Sequence, residues 1–127
     1  MHEAISDLCY SISESSSLKI NYEWNGDAQR LDFSQELALY RIIKEILVNA
    51  VKHAEATTIT INIENTTDTF KLFVKDDGKG FDVETTQKDA GLRNIKDRTL
   101  ILGGKVYISS EMHSGTTIQI DFNKQNS

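Results

Sequence analysis

The chain has 127 residues, of which 39% are hydrophobic and 26% are charged, a size and composition typical of one globular domain. Its 14 Lys and Arg residues against 19 Asp and Glu residues give a formal net charge of −5, which argues against a nucleic-acid partner bound through its phosphates. No window approaches the roughly 18 consecutive apolar residues of a membrane span, so we expect no membrane contact. The N-terminus lacks a secretory signal and the single cysteine, Cys9, cannot form an internal disulfide. The expected compartment is therefore the cytoplasm, although a parent protein could be membrane-bound.

Charge and glycine are distributed unevenly. Residues 1–40 carry a net charge of −5, whereas residues 87–105 carry +3. Six of the seven glycines lie within residues 78–115. A glycine-rich, locally basic stretch in an acidic domain favours a small anionic ligand over a polymer.

The first half of the chain alternates between helical and strand patterns. Apolar residues at helical spacing predict a helix over about residues 3–15, and alternation from Leu18 to Trp24 predicts a strand with one buried face. Ser34 is the expected N-cap of a long helix that runs to about His53 and buries an apolar side.

The second half is dominated by two predicted hairpins, which are separated by a long loop and a short helix. In chain order we expect strands at 59–63 and 70–74, a loop of about a dozen residues at 78–91, a helix at about 92–102, and strands near 106–108 and 118–122. Helices mixed with mainly antiparallel hairpins predict an α+β fold. The expected architecture is a two-layer sandwich, with a mixed sheet of about five strands covered on one face by three helices.

The long predicted helix carries a polar stripe. Its members, Arg41, Glu45, Asn49, Lys52 and His53, fall within about a third of the helical circumference. Such a stripe alone is typical of a solvated face. Asn49, however, is a poor helix former that no cap or turn requires at mid-helix. An amide oxygen one turn from a carboxylate, with basic side chains beyond it, suits a hard cation and the phosphates that this cation neutralises.

A second candidate site follows the strand that ends near Val74. The strand leads directly into Asp76 and Asp77 and then into a Gly-x-Gly sequence at Gly78 and Gly80. An acidic side chain thus lies beside a backbone that a ligand can approach closely, although an acidic turn would give the same pattern. The sequence contains neither a phosphate-binding P-loop nor a dinucleotide-binding Gly-x-Gly-x-x-Gly, so a nucleotide interpretation places the acid on the base.

Two further glycines mark candidate positions. Gly91 precedes the short predicted helix, whose N-terminal amides and nearby Arg93 could face an anion. Gly115 precedes Thr116 at the start of the last strand, a pattern that alone indicates only a turn.

Taken together, these motifs resemble the ATP-binding domain of bacterial sensor histidine kinases. This domain belongs to a superfamily shared with type II topoisomerases, mismatch-repair ATPases and anti-sigma serine kinases, and the helix motif resembles the branch with a short ATP lid. The motifs in order are Glu45-(x3)-Asn49-(x2)-Lys52-His53, Asp76-x-Gly78-x-Gly80-Phe81, Gly91-Leu92-Arg93-Asn94-Ile95, Leu102-Gly103-Gly104 and Gly115-Thr116. The resemblance covers nearly the whole chain and implies a Bergerat-type ATP-binding fold.

The resemblance also implies cofactors and residue roles. Its ligands are ATP and Mg²⁺, with Asn49 as the magnesium ligand and Glu45 as a base or a residue supporting the metal site. Asp76 is the implied partner of the adenine amino group, and Thr116 is implied to reach the adenine through water. The remaining implied contacts are Gly78 and Gly80 beside the base and lid, Lys52 and His53 at phosphates or ribose, and Gly91, Leu92 and Arg93 at the phosphates.

For the reaction, the resemblance implies transfer of the ATP γ-phosphoryl group to a histidine on a dimerisation domain, and indirectly to a response regulator of a two-component system. We expect residues 1–127 to form a single ATP-binding domain without the hairpin that bears this histidine. His2 precedes an acidic residue, as a phosphoacceptor does, but only 47 positions separate it from Asn49, too few for two further helices. The alternatives are an anti-sigma type serine kinase and a catalytically silent nucleotide-binding interaction module.

Overall fold

A computed structural model describes residues 1–26, 31–54, 56–79, 90–110 and 115–124. Within these ranges the chain forms three α-helices, a π-helical turn and five strands. In chain order they are α1 (His2–Ser15), β1 (Lys19–Asn25), α2 (Phe33–Asn49), the π turn (Ala50–Ala54), β2 (Thr58–Asn65), β3 (Thr69–Asp76), α3 (Ala90–Ile101), β4 (Lys105–Ser110) and β5 (Thr116–Asn123). None of the helices in these ranges is both long and apolar enough to cross a lipid bilayer.

The five strands form one mixed sheet in the order β1-β2-β3-β5-β4. Both predicted hairpins, β2–β3 and β4–β5, are present as antiparallel pairs, and β3 also pairs with β5. β1 runs parallel to β2, so the chain between them must cross over, and α2 makes this crossover. The predicted α+β class and the five-stranded sheet are confirmed.

The core lies between one face of the sheet and the helices. Strict alternation in β2, β3 and β5 places every second side chain in this layer, including Ile61, Leu72 and Ile120, which are fully buried. α2 contributes the largest helical share through Leu39, Ile42, Ile43, Ile46 and Leu47. This packing places α2 across the sheet, with its C-terminal end at Asn49.

The predicted N-cap of the long helix was wrong. Asp32, not Ser34, caps α2: its Oδ1 accepts the backbone N–H of Gln35 at 2.7 Å, and the Gln35 side chain accepts the backbone N–H of Asp32 at 3.0 Å. This reciprocal capping box satisfies two backbone donors at once, whereas a lone serine cap satisfies one. Ser34 consequently lies inside the first helical turn.

The start of the short helix also differs from the prediction. α3 begins at Ala90, so Gly91 lies within its first turn and does not precede it. The helix ends in a Schellman motif, in which Gly103, at φ +72°, donates to the Leu100 carbonyl and Gly104 donates to the Thr99 carbonyl. Most of the predicted loop, residues 80–89, lies outside the described residues.

Candidate nucleotide-binding site

Asp76 is the last residue of β3 and is largely buried, with 9% of its surface exposed. In the sheet it lies between Ile59 of β2 and Thr116 of β5. Its Oδ1 accepts the backbone N–H of Gly78 at 2.8 Å, which closes a tight turn directly after the strand. The buried position of the carboxyl group is therefore set by both neighbouring strands and by the Gly-x-Gly sequence that follows.

Burial dominates the electrostatics of Asp76. Loss of hydration raises the pKa of this carboxyl group, and the nearby charge of Asp77 adds to the rise, while hydrogen bonds from the backbone N–H groups of Gly78 and Thr116 oppose it. A carboxylate has about four lone-pair positions, so these two donors leave acceptor capacity for a ligand. An amino group of a bound base is a donor that such a buried acceptor can recognise.

Thr116 is brought beside Asp76 by the pairing of β3 with β5 and is 6% exposed. Its hydroxyl lies 2.8 Å from the hydroxyl of Ser110, which also donates to the Gly115 carbonyl at 3.2 Å. Either hydroxyl can donate in this pair, and a hydroxyl oxygen has two lone pairs, so Thr116 keeps acceptor capacity beyond it. The Thr116 hydroxyl is thus held beside Asp76 and can bond a further group.

Gly115 packs directly on the backbone of Asp76. It adopts φ +81°, a conformation that other residues rarely take, and a Cβ atom here would collide with the Asp76 carbonyl oxygen. The sequence analysis found only a turn at Gly115. A glycine directly before a strand is the only pattern in the sequence at this position, and this pattern does not predict the contact of Gly115 with the Asp76 backbone.

The polar stripe lies along α2 and continues into the π turn. Glu45 and Asn49 are half-buried, Arg41 and Lys52 are exposed, and the side chain of His53 lies outside the described residues. Asn49 is the last residue of α2, where the helix widens into the π turn. Single π turns occur frequently at functional sites, so this junction is the feature that distinguishes the stripe from an ordinary solvated face.

The chain path brings the π turn toward the end of β3. From Ala54 to Thr57 the chain spans at most about 11 Å, because consecutive Cα atoms are 3.8 Å apart. Thr57 is hydrogen-bonded to Asp77, the residue after Asp76. The π turn, which continues the helix of the stripe, is therefore linked through Thr57 to the residue after Asp76, at the end of the sheet where β3 stops.

The beginning of α3 supplies the third predicted region. The Leu92 side chain is buried, with 7% exposed, so only its backbone could meet a phosphate, whereas Arg93 is exposed. Gly91 lies in the first turn, where backbone N–H groups lack helical partners. Gly80 lies outside the described residues. The binding roles assigned to these residues stay predictions.

Sequence reasoning assigned no role to Asp77 or Ser110. Asp77 bonds mainly to backbone N–H groups of Thr57 and Thr58, which leave no mark in a sequence. The only pattern in the sequence that pointed to Asp77 was the Asp-Asp doublet after an alternating strand. Ser110 could have been noticed only through its pairing with Thr116 across the β4–β5 hairpin.

The donor set fits a magnesium ion held mainly by a substrate. Among residues 1–26, 31–54, 56–79, 90–110 and 115–124 there is no group of three or more His, Cys, Asp or Glu side chains that could hold a metal. Mg²⁺ usually keeps several waters and takes one or two protein oxygens together with substrate phosphates. The half-buried amide of Asn49 is compatible with this mode of binding.

Curated relatives of the chain are sensor kinases. The signal transduction histidine-protein kinase/phosphatase DegS of Bacillus subtilis is 39% identical over 109 residues, which cover 81% of this chain and 28% of DegS. The sensor protein VraS of Staphylococcus aureus (strain COL) is 31% identical over 128 aligned positions, covering 98% of this chain and 36% of VraS. The chain thus spans about a third of the length of these relatives.

Solved structures show the same fold. The histidine kinase AdeS of Acinetobacter baumannii superposes with a TM-score of 0.75 at 15% identity, covering 98% of this chain and 65% of that one. The blue-light activated histidine kinase EL346 of Erythrobacter litoralis gives 0.71 at 17% identity, covering 93% and 40%. Residues 34–126 match the family described as histidine kinase-, DNA gyrase B- and HSP90-like ATPases. The chain belongs to this ATPase family.

Proposed function

We propose that the chain binds Mg-ATP and donates the γ-phosphoryl group to a histidine on a separate dimerisation domain of a sensor kinase, which passes it to a response regulator. The family is one of ATPases, and the curated relatives are sensor histidine kinases. The observation that carries the proposal is the buried carboxyl group of Asp76, fixed between two strands and turned into the Gly-x-Gly segment.

At the adenine end, Asp76 accepts a hydrogen bond from the 6-amino group. Thr116, whose hydroxyl is paired with that of Ser110, bonds a water beside the base. Gly78 is buried next to Asp76 and leaves space for the base. The expected position of Gly80, beside the lid, rests on the family resemblance alone. A carboxylate acceptor at this position favours adenine over guanine, because guanine carries an oxygen where adenine carries the amino group.

At the phosphate end, Asn49 is the protein ligand of Mg²⁺. The ion supplies charge neutralisation of the phosphates when it is bound. Lys52, His53, Arg93 and the backbone of Gly91 and Leu92 bind phosphate or ribose oxygens. Glu45, one helical turn before Asn49, accepts a proton as a base or supports the metal site. Phosphoryl transfer asks the protein mainly for positioning and for compensating charge, and these residues provide both.

The acceptor histidine lies outside residues 1–127 in this proposal. The Nδ1 atom of His2 lies 2.9 Å from the Tyr22 hydroxyl, and its ring contacts the Trp24 ring, so it is engaged by the edge strand β1. In-line transfer requires a nucleophile about 3–3.5 Å from the γ-phosphorus. A histidine held against β1, two strands away from Asp76, does not meet this requirement.

The test is incubation with γ-labelled ATP and Mg²⁺, first of the chain alone and then with the histidine-bearing hairpin of a sensor kinase, fused ahead of residue 1 or added separately. We expect label only with the hairpin, and we expect acid to remove it, since phosphohistidine is acid-labile and phosphoserine is not. A hairpin whose histidine is replaced by glutamine is the control. Stoichiometric acid-labile label on the chain alone, or acid-stable label, would contradict the proposal.

A further inference from the structure

Asp77, the second carboxylate of the doublet, binds the beginning of β2. Its Oδ1 accepts the backbone N–H groups of Thr57 and Thr58, both at 2.9 Å, and its Oδ2 accepts the Thr57 hydroxyl at 2.6 Å. The backbone N–H of Asp77 donates in return to the Thr58 carbonyl at 3.2 Å. We call these four hydrogen bonds the Asp77 clamp. They lower the pKa of Asp77, chiefly through the Thr57 hydroxyl and then the Thr58 amide, so the group is ionised at neutral pH.

The Asp77 clamp joins the two regions that the proposed function uses. On one side it holds Thr57, three residues after the π turn that continues the helix of Asn49 and Lys52. On the other side it is formed by Asp77, the residue directly after Asp76. The Thr57 carbonyl is also bonded, by the backbone N–H of Lys19 at 2.9 Å, so Thr57 is held from both sides.

The Asp77 clamp lies on the surface and buries no apolar side chain. Asp77 and Thr57 are both exposed, whereas the core of α2, β2 and β3 is complete without them. Bonds of this kind between exposed groups contribute less to the free energy of unfolding than burial of the core does. They do fix the separation and orientation of the segments that they connect, which is the property that a two-part binding site requires.

We propose that Asp77 is a positioning residue, which holds the end of the π turn in register with Asp76 so that the adenine and the Mg-phosphate group of one ATP molecule are bound at the same time. This inference rests on the proposed function, because it needs Asp76 at the adenine and Asn49 at the metal. Asp77 itself touches neither ligand and acts through Thr57 and Thr58.

The proposal predicts a selective effect on the two parts of the nucleotide. Adenosine lacks the phosphates and the metal and so depends mainly on the Asp76 side, whereas Mg-ATP depends on both sides. Asp77→Ala should therefore weaken Mg-ATP binding by about tenfold and adenosine binding by less than about twofold. Asp77→Asn keeps an acceptor oxygen for the two backbone N–H groups, and its amide can donate to the Thr57 hydroxyl. This conservative variant should restore Mg-ATP affinity to within about threefold of the unmodified chain.

The experiment is calorimetric titration of the unmodified chain and its variants with Mg-ATP and with adenosine. Thr57→Val, which removes one bond of the Asp77 clamp and keeps the carboxylate, is the second variant and should shift affinity in the same selective way. Thr66→Ala is the matched control, because the Thr66 hydroxyl bonds Thr69 at the opposite end of the same hairpin. It should leave both affinities unchanged.

The outcomes separate the two proposals. Equal loss of adenosine and Mg-ATP affinity in Asp77→Ala and Thr57→Val, or no loss in either, would overturn the positioning role while leaving the proposed function intact. Failure of Asp77→Asn to restore Mg-ATP affinity would also overturn it, since charge and not alignment would then be responsible. If the unmodified chain bound neither ligand, the proposed function would fail, and this inference would fail with it.

Discussion

Asp76 and Asp77 are neighbours with the same side chain in two different environments. Asp76 is buried, and burial raises its pKa above the ordinary value of 3.8. Asp77 is exposed and accepts three hydrogen bonds from Thr57 and Thr58, which lower its pKa below that value. The difference follows from the alternation of β3, which turns Asp76 toward the buried layer and leaves the next residue outside it.

These two shifts predict opposite pH dependences of stability. Because the folded pKa of Asp76 is raised, the folded state binds more protons just above pH 3.8, and the contribution of Asp76 to stability falls as the pH rises through that window. Because the folded pKa of Asp77 is lowered, its contribution is complete above pH 3.8 and is lost as the pH falls through the folded value.

Urea unfolding at a series of pH values measures both effects. Above about pH 3.8 the unmodified chain should have a larger free energy of unfolding than Asp77→Asn, and this difference should disappear as the pH falls below that value. Relative to Asp76→Asn, the unmodified chain should lose stability as the pH rises above about 3.8. Parallel curves for the unmodified chain and both variants would show that neither carboxyl group is perturbed as described.

At the scale of elements, the candidate site lies where several elements end. β3 ends at Asp76, β5 begins at Thr116, and α2 passes into the π turn at Asn49. Backbone groups at such ends are not all used by the helix or sheet, so they are available to side chains and ligands. The Asp77 clamp and the Ser110–Thr116 pair are two examples in which side chains take up these positions.

The contact between the start of β5 and the end of β3 can be tested with Gly115→Ala. A Cβ atom at φ +81° is strained, and here it also meets the Asp76 carbonyl oxygen, so the backbone of Asp76 must shift. We expect a loss of about 1–2 kcal/mol in the free energy of unfolding from the strain alone. We also expect a loss of at least about tenfold in ATP affinity, because displacement of a binding group is costly.

Gly103→Ala is the matched control. Gly103 also has a positive φ, +72°, but a Cβ atom there meets nothing within 4 Å. This variant should lose a similar free energy of unfolding through backbone strain, and it should keep the ATP affinity of the unmodified chain. Equal affinities of the two variants would show that close packing of Gly115 on Asp76 does not matter for binding.

At the scale of the whole molecule, the sequence predicted the elements well because the apolar pattern is regular. Ile59, Ile61 and Ile63 alternate, and so do Phe70, Leu72 and Val74, which allowed the β2–β3 hairpin to be recognised without any other information. The parallel pairing of β1 with β2 was not specified, since pairing partners distant in sequence leave no local pattern. The cap of α2 was misplaced because Ser34 and Asp32 are both good cap residues, and only Gln35 distinguishes them.

Less of the candidate site than of the fold could be predicted from the sequence. Asp76 was singled out because a carboxylate directly follows a buried strand and precedes two glycines. Its neighbour Thr116 lies 40 positions away and was implied only by the family resemblance, whereas their proximity follows from the β3–β5 pairing. The magnesium role of Asn49 and the phosphate roles of Lys52 and other basic residues stay predictions.

The central claim is that one site binds adenine through Asp76 and Mg-phosphate through Asn49. Its most direct measurement is calorimetric titration of the unmodified chain, Asp76→Asn and Asn49→Ala with ATP, in Mg²⁺ and in EDTA. We expect Asp76→Asn to lose about ten- to a hundredfold in affinity under both conditions, since a charge-assisted hydrogen bond in a buried site is lost. Asn49→Ala should lose affinity mainly in Mg²⁺. Unchanged affinity of a folded Asp76→Asn variant, or equal loss by Asn49→Ala in EDTA, would contradict the account.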